Sequence, residues 1–184
     1  MNDMMKLIET EIKDCYIIET VKFHDDRGYF HVPFNRYDFY SKTGISFDFV
    51  QENESSSTKN TIRGLHFQTG EFEQAKLVRC THGMVNDVIV DLREDSPSYG
   101  VVVTVNLTPE NGLSVFVPKG CAHGFSAIKE SIFHYVVDNH YNKQSEGGIR
   151  YDDPQLNIEW GIEGDPLISD KDLLLPNFSN IYKV

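Results

Sequence analysis

The sequence predicts an all-β jelly-roll barrel carrying a few short helices, and three observations predict it. Strand-like runs recur from Tyr16 almost to Ile158 with turn residues between them, the even spacing that all-β sandwiches and barrels produce. Helical periodicity is scarce over the same span. Residues 113–117 alternate so that Leu113, Val115 and Val117 share a face, and the strand runs into a Pro118-x-Gly120 turn that delivers His123.

The remaining elements follow in order. A short helix is expected at Arg36–Thr43, closed by Gly44 as its C-terminal cap. The polar stretch 52–60 reads as a loop or an irregular strand end. Residues 84–92 alternate, and 99–107 place Val101, Val103, Val105 and Leu107 on one face. Pro109-Glu110-Asn111-Gly112 supplies a hairpin turn between that strand and the next. A last helix starts at Ser169. No internal repeat is present.

With 184 residues and 40% hydrophobic content, the chain is expected to form one domain spanning 1–184. A net charge of −11 argues against nucleic acid or an anionic membrane as partner, because phosphates are held by clustered Lys and Arg. A small anionic substrate stays possible where basic residues gather. Three cysteines, Cys15, Cys80 and Cys121, cannot all pair with one another, and charged residues occupy the N-terminal stretch where a signal peptide needs an apolar run. A reduced, cytoplasmic protein is the expectation.

Two stretches bear chemistry. Arg63-Gly64-Leu65-His66-Phe67-Gln68 puts His66 and Gln68 on one strand face, and Lys76, Val78 and Cys80 share a face on the next strand. Burial would favour the neutral imidazole of His66, a base, while Lys76 could stay charged only beside an anion. Phe133, Tyr135, Val137, Asn139 and Tyr141 alternate onto one face, so two phenols point the same way. The packing readings stay open beside these: a tyrosine or histidine on an alternating strand can be a packed residue with a hydrogen-bonded tip. His123 could simply brace its turn. Asp172 lies three residues after Ser169, the spacing of a capping box. Arg27 and Arg63 each precede a glycine, and a guanidinium fork suits a diphosphate.

The run from Gly112 to His123 resembles the second half of a cupin signature. The first half of that signature carries two histidines one residue apart that chelate a metal together; here Gln68 stands at the second. One retained histidine suggests acid–base chemistry. A metal-dependent cupin, with His66, His123 and a carboxylate such as Glu71 as ligands, is the first rival, weakened by the neutral amide. A noncatalytic sugar-nucleotide binding module and a ketoisomerase on the same scaffold are the others.

Over most of its length the chain resembles the dTDP-4-dehydrorhamnose 3,5-epimerases, enzymes that invert the carbons beside a C4 ketone. The resemblance rests on the order and spacing of Asp26-Arg27-Gly28, Phe49-Val50-Gln51-Glu52-Asn53, Arg63 to Gln68, Lys76-Leu77-Val78-Arg79, Val90-Asp91-Leu92-Arg93, Ser96-Pro97-Ser98-Tyr99-Gly100, Ala122-His123-Gly124-Phe125, Asp152-Asp153-Pro154 and Ser169-Asp170-Lys171-Asp172. It implies that His66 is the general base oriented by Asp172, that Tyr135 is the general acid, and that Lys76 bonds the C4 oxygen. It implies further that Arg27, Gln51, Asn53, Arg63, His123, Glu146 and Lys171 bind substrate, and that Tyr141 stacks on the nucleotide base. By the same resemblance no metal or cofactor is used, the substrate is a nucleotide-linked 4-keto-6-deoxy sugar, and the protein is a homodimer that exchanges N-terminal strands. Val32 stands where the family has an acidic contact to thymine, and Tyr151 where it usually has tryptophan.

Overall fold

The computed structural model describes residues 4–181; the first three and last three positions of the expected 1–184 domain lie outside the described residues. Thirteen strands are present among these residues: β1 Met5–Glu9, β2 Tyr16–Thr20, β3 Lys22–Asp25, β4 Gly28–His31, β5 Gln51–Ser57, β6 Ile62–Gln68, β7 Lys76–His82, β8 Val85–Asp91, β9 Val102–Leu107, β10 Ser114–Val117, β11 Cys121–Ala127, β12 Ser131–Val137 and β13 Glu146–Gly148. Two α-helices accompany them, α1 Arg36–Thr43 and α2 Asp170–Leu173. One antiparallel sheet has the order β1-β2-β10-β7-β12-β5, a second β13-β6-β11-β8-β9, and β3-β4 form a separate hairpin. The all-β expectation holds, as do both helices. Asn35 caps the start of α1 by accepting from the Tyr37 and Asp38 N–H groups, and Gly44 ends it in the left-handed region at φ 73°.

Side-chain alternation explains how the sheets stack. Val85 and Ile89 of β8 join Val78, Val105, Val115, Val117, Phe125 and Phe133 in the core between the sheets. Val88 and Val90, on the other face, pack beneath Ile149, Leu156, Trp160 and Phe178 of the C-terminal segment. The outer face of the six-stranded sheet is closed by α1 and the loop after it, where Phe39 and Phe47 meet Phe116. β8 is therefore covered on both faces, so the alternation of 84–92 separates two buried faces rather than a buried from an exposed one.

Several expectations are corrected. Residues 52–60 are largely the regular edge strand β5, paired along its whole length with β12. Its alternating exposure leaves the outward positions polar, so composition resembles a loop while the backbone forms a ladder. The turn at 109–112 does not close a hairpin: β9 pairs with β8, and β10 with β2 and β7, so the chain crosses there from one sheet to the other. Tyr99 and Gly100 belong to the preceding turn, not to β9, and the last strand ends at Gly148 rather than near Ile158. β1 was not anticipated. No helix among the described residues is long and apolar enough to cross a membrane.

One close approach sets up the site. β6 and β11 touch through two glycines: a Cβ on Gly64 would lie 2.7 Å from Gly124 Cα and 2.8 Å from His123 O, and one on Gly124 would lie 2.5 Å from Arg63 O. Gly64 also has φ +114°, a conformation L residues rarely adopt. The register between the strands shifts here. A regular strand would send residues three apart to opposite faces, yet Arg63 and His66 both line the interior cavity. Gly64→Ala is therefore expected to lower stability by about 3 kcal/mol or more, read by thermal or denaturant unfolding, because backbone rather than a pliable side chain must move.

Candidate active site

A cavity of about 880 Å³ opens between the sheets, the size range of small-molecule sites. The five-stranded sheet contributes His66 and Gln68 from β6, His123 from β11 and Glu146 from β13; the six-stranded sheet faces them with Asn53 from β5, Lys76 from β7 and Tyr135 from β12. Arg63, Tyr141, Lys171 and Asp172 complete the lining.

His66 Nε2 lies 2.7 Å from Asp172 Oδ1, and the Gly64 N–H donates to Oδ2 at 3.2 Å. Burial alone would raise the Asp172 pKa; the hydrogen bonds from His66 and the Gly64 N–H outweigh that and hold it below the usual carboxylate range. An ionised carboxylate only accepts, so Nε2 donates and the lone pair is left on Nδ1. Ser169 does cap α2, accepting from the Asp172 N–H at 3.1 Å. The Asp172 side chain does not close the capping box; it reaches across to β6.

Lys76 is 8% exposed, and its Nζ donates to the His66 carbonyl at 3.4 Å. Burial pushes its pKa down to about 8, against the upward pull of Asp87, Cys121 and Glu146. Tyr135 is pushed up by burial, with partial relief from the Arg63 charge, so its phenol keeps its proton. Arg63 is tied to β5, donating from Nε to Ser57 Oγ at 3.0 Å and from Nη2 to the Ser56 carbonyl at 2.9 Å. At the mouth, Glu146 accepts from Tyr141 Oη at 2.9 Å and from Lys171 Nζ at 2.6 Å. The Tyr141 ring stays half exposed, available for stacking. Both phenols do line the cavity, but β12 ends at Val137, so Tyr141 arrives by the following turn rather than by strand alternation.

Gln68 has a task of its own: its buried Oε1 accepts from the Asn142 N–H at 2.8 Å and so anchors the loop that carries Tyr141. His123 does more than brace a turn. Its Nε2 lies 2.7 Å from Asp87 Oδ1, and its ring lies 6.0 Å from Phe133 in a stacked arrangement. Asp87 was missed in the sequence; the available signal was an acid on the same face of 84–92 as Val85 and Ile89.

Two expected residues do not line this cavity. Arg27 sits on the β3–β4 hairpin with a 90% exposed side chain paired to Asp25, and Val32 follows the same hairpin. Gln51 starts β5 and donates to Asn53 Oδ1 at 2.6 Å. Tyr151 packs in the outer core, its carbonyl accepting from Trp160 Nε1. Among the described residues no three His, Cys, Asp or Glu side chains are grouped to hold a metal. His66 and His123 are cross-strand neighbours, but each gives its Nε2 to its own carboxylate, and Glu71 lies on a 3₁₀ turn outside the cavity lining.

Comparison with known proteins adds to this geometry. The family model described as dTDP-4-dehydrorhamnose 3,5-epimerase matches residues 9–180. The dTDP-4-dehydrorhamnose 3,5-epimerase of Shigella flexneri is 46% identical over 170 residues, 92% of this chain and 93% of its own. The crystal structure of the Elizabethkingia anophelis enzyme of that name superposes with a TM-score of 0.93 at 46% identity, covering 96% of this chain and 98% of its own. A Legionella pneumophila epimerase solved with dTDP-4-keto-L-rhamnose is 38% identical with a TM-score of 0.92, covering 97% and 95%.

Proposed function

Because the chain belongs to the dTDP-4-dehydrorhamnose 3,5-epimerase family, we propose that it inverts the carbons flanking the C4 ketone of a dTDP-4-keto-6-deoxy sugar, using side chains alone as acid and base. The observation that carries this reading is the opposition of His66 on one sheet to Tyr135 and Lys76 on the other across a single cavity. Inversion needs a proton removed from one face of the ring and returned to the other, so acid and base must stand on facing walls.

The ketone acidifies the hydrogens on C3 and C5. His66 Nδ1 takes one of them, the electron pair moves into an enolate, and the charge on the C4 oxygen is met by the Lys76 ammonium. Tyr135 Oη then delivers a proton to the opposite face. A positioned donor to such an oxyanion is worth roughly 3 kcal/mol, and a positioned acid or base about 10²–10⁴-fold in rate. Asp172 keeps the ring of His66 in the tautomer that leaves Nδ1 basic. Arg63 and Lys171 give an acidic chain local positive charge for a diphosphate, and Tyr141 offers its face to the base. Chemistry without a metal is supported by the engagement of both imidazole Nε2 atoms with carboxylates and by the use of Gln68 as a loop anchor.

The protein acts as a homodimer in this reading. Val21, Phe23, Tyr29 and Phe30 stand exposed on and beside the β3–β4 hairpin, an apolar patch of the kind a partner covers. Such an assembly would carry Arg27 and Val32 to the neighbouring cavity, which accounts for their distance from their own. Three unpaired, buried cysteines suit a reducing cytoplasmic setting.

The test is proton NMR of dTDP-4-keto-6-deoxyglucose in heavy water with chelator and enzyme. Loss of the C3 and C5 signals is expected, and persistence of both would defeat the proposal. Tyr135→Phe is expected to keep exchange while slowing formation of inverted product by about 10²-fold.

A further inference from the structure

Asp87 and Asp91 stand four residues apart on β8, so both point into the barrel, and both are fully buried. Their surroundings differ. Asp91 is satisfied throughout: Arg93 donates from Nε and Nη2 at 2.8 Å each, Ser96 Oγ at 2.6 Å and Ser98 Oγ at 2.7 Å. That network is a structural tie. Asp87 has His123 at Oδ1, while its Oδ2 is buried without a hydrogen-bond partner. Leaving a buried carboxylate oxygen unpaired is costly, and here it belongs to the carboxylate that holds the ring of His123, a residue lining the cavity.

We infer that Asp87 is a positioning residue of the active site, acting through two groups that line the cavity: it fixes the ring of His123 through Nε2, and its charge keeps the buried Lys76 protonated for the C4 oxygen. The inference deepens the epimerase reading and rests on it. With the carboxylate accepting at Nε2, the other ring nitrogen is what His123 can present to a ligand. Lys76 lies deep in the same barrel, and Asp87 is the charge acting most strongly to keep it protonated, ahead of Cys121 on β11 and Glu146 on β13. The other titratable or charged groups lining this space are His66 and Arg63 on β6, His123 on β11, Glu52 and Glu54 on β5, Tyr135 on β12, and Tyr141, Lys171 and Asp172, and Cys15, in the turn after β1, also feels the charge of Asp87. Glu146 is already committed to Lys171 and Tyr141 at the mouth. Asp87 is the anion with an uncommitted oxygen.

The experiment pairs a pH profile with a double-mutant cycle. In Asp87→Asn the alkaline limb of kcat is expected to move down by about one pH unit or more, the size of shift that loss of a nearby opposite charge produces, lowering kcat about fivefold at pH 8. A side chain that merely fills space would leave that limb in place, and coincidence with the wild-type limb overturns the inference. The cycle compares Asp87→Asn in the wild type and in Lys76→Met by thermal unfolding. Asp87→Asn is expected to destabilise the Lys76→Met protein less than the wild type; equal losses in both overturn the charge coupling. Should Asp87→Asn alone fail to fold, a folded double variant supports the inference and an unfolded one defeats it. Wild-type exchange in heavy water reports separately on the epimerase reading, and the stability cycle stands whichever way that result falls.

Discussion

His66→Ala is expected to abolish hydrogen exchange at C3 and C5, lowering the rate by at least about 10³–10⁴-fold, while dTDP affinity stays within about threefold of wild type. The size follows from the site's composition. His66 is held with Nε2 donating to Asp172 at 2.7 Å and Nδ1 free to accept a proton; His123, its cross-strand neighbour, points its own Nε2 at Asp87. No other group on that wall is positioned as a base, so the contribution of a general base is lost whole. The nucleotide contacts proposed for Arg63, Tyr141 and Lys171 have hydrogen-bond partners other than the imidazole. Exchange followed by NMR, with dTDP titrated calorimetrically, separates the two quantities. Exchange at the normal rate in His66→Ala would falsify the assignment of His66 as base.

Lys76→Met is expected to cut kcat by about 10²-fold or more while raising thermal stability. The loss reflects one oxyanion donor, worth roughly 3 kcal/mol. The gain follows from linkage. In the folded protein the lysine titrates at about 8 instead of 10.5 because it is buried, so between those values the unfolded chain binds the extra proton and stability rises with pH. Below pH 8 the full cost of keeping the ammonium buried is present, about 3 kcal/mol from the separation of the two values; above 10.5 it is gone. Met removes the charge, so the variant is expected to gain several degrees in Tm at neutral pH and to lose the rise in stability across the alkaline window. Thermal unfolding at pH 7 and pH 10 checks both parts. A Tm at pH 7 below that of the wild type would show that Lys76 is not strained by burial. The opposing effects on rate and stability are those of a residue retained for function.

Asp172 titrates in the opposite sense. Its pKa is depressed by His66 and Gly64 despite burial, so its contribution to stability is present at neutral pH and is lost only as the pH falls through its lowered value. The dyad therefore remains intact through the mildly acidic range.

The local order of this protein is written in its periodicity. Val105 and Leu107 share a buried face, as do Val115 and Val117, as alternation predicts, because side-chain direction in a strand follows from residue parity alone. Gly44 and Ser169 capped their helices because capping is settled within a turn of chain. The residue types at His66, Lys76, Tyr135 and Asp172, together with their order, were enough to suggest the chemistry. What they could not supply was arrangement between elements. Which sheet β9 and β10 join, whether a polar edge strand is strand or loop, and where Arg27 and Gln51 lie relative to the cavity depend on partners far away in sequence. The side chain of Asp172 could cap its own helix or orient a histidine 106 residues away, and spacing serves both. The contact between Gly64 and Gly124 decides it: by bringing β6 against β11 it turns Arg63 and His66 to the same side. Asp87 went unread for the same reason, since an acid in an apolar strand gains meaning only when the fold places His123 and Lys76 around it. Parity and capping act over a few residues, whereas burial, charge pairing and the facing of acid and base exist only once distant strands have closed the barrel.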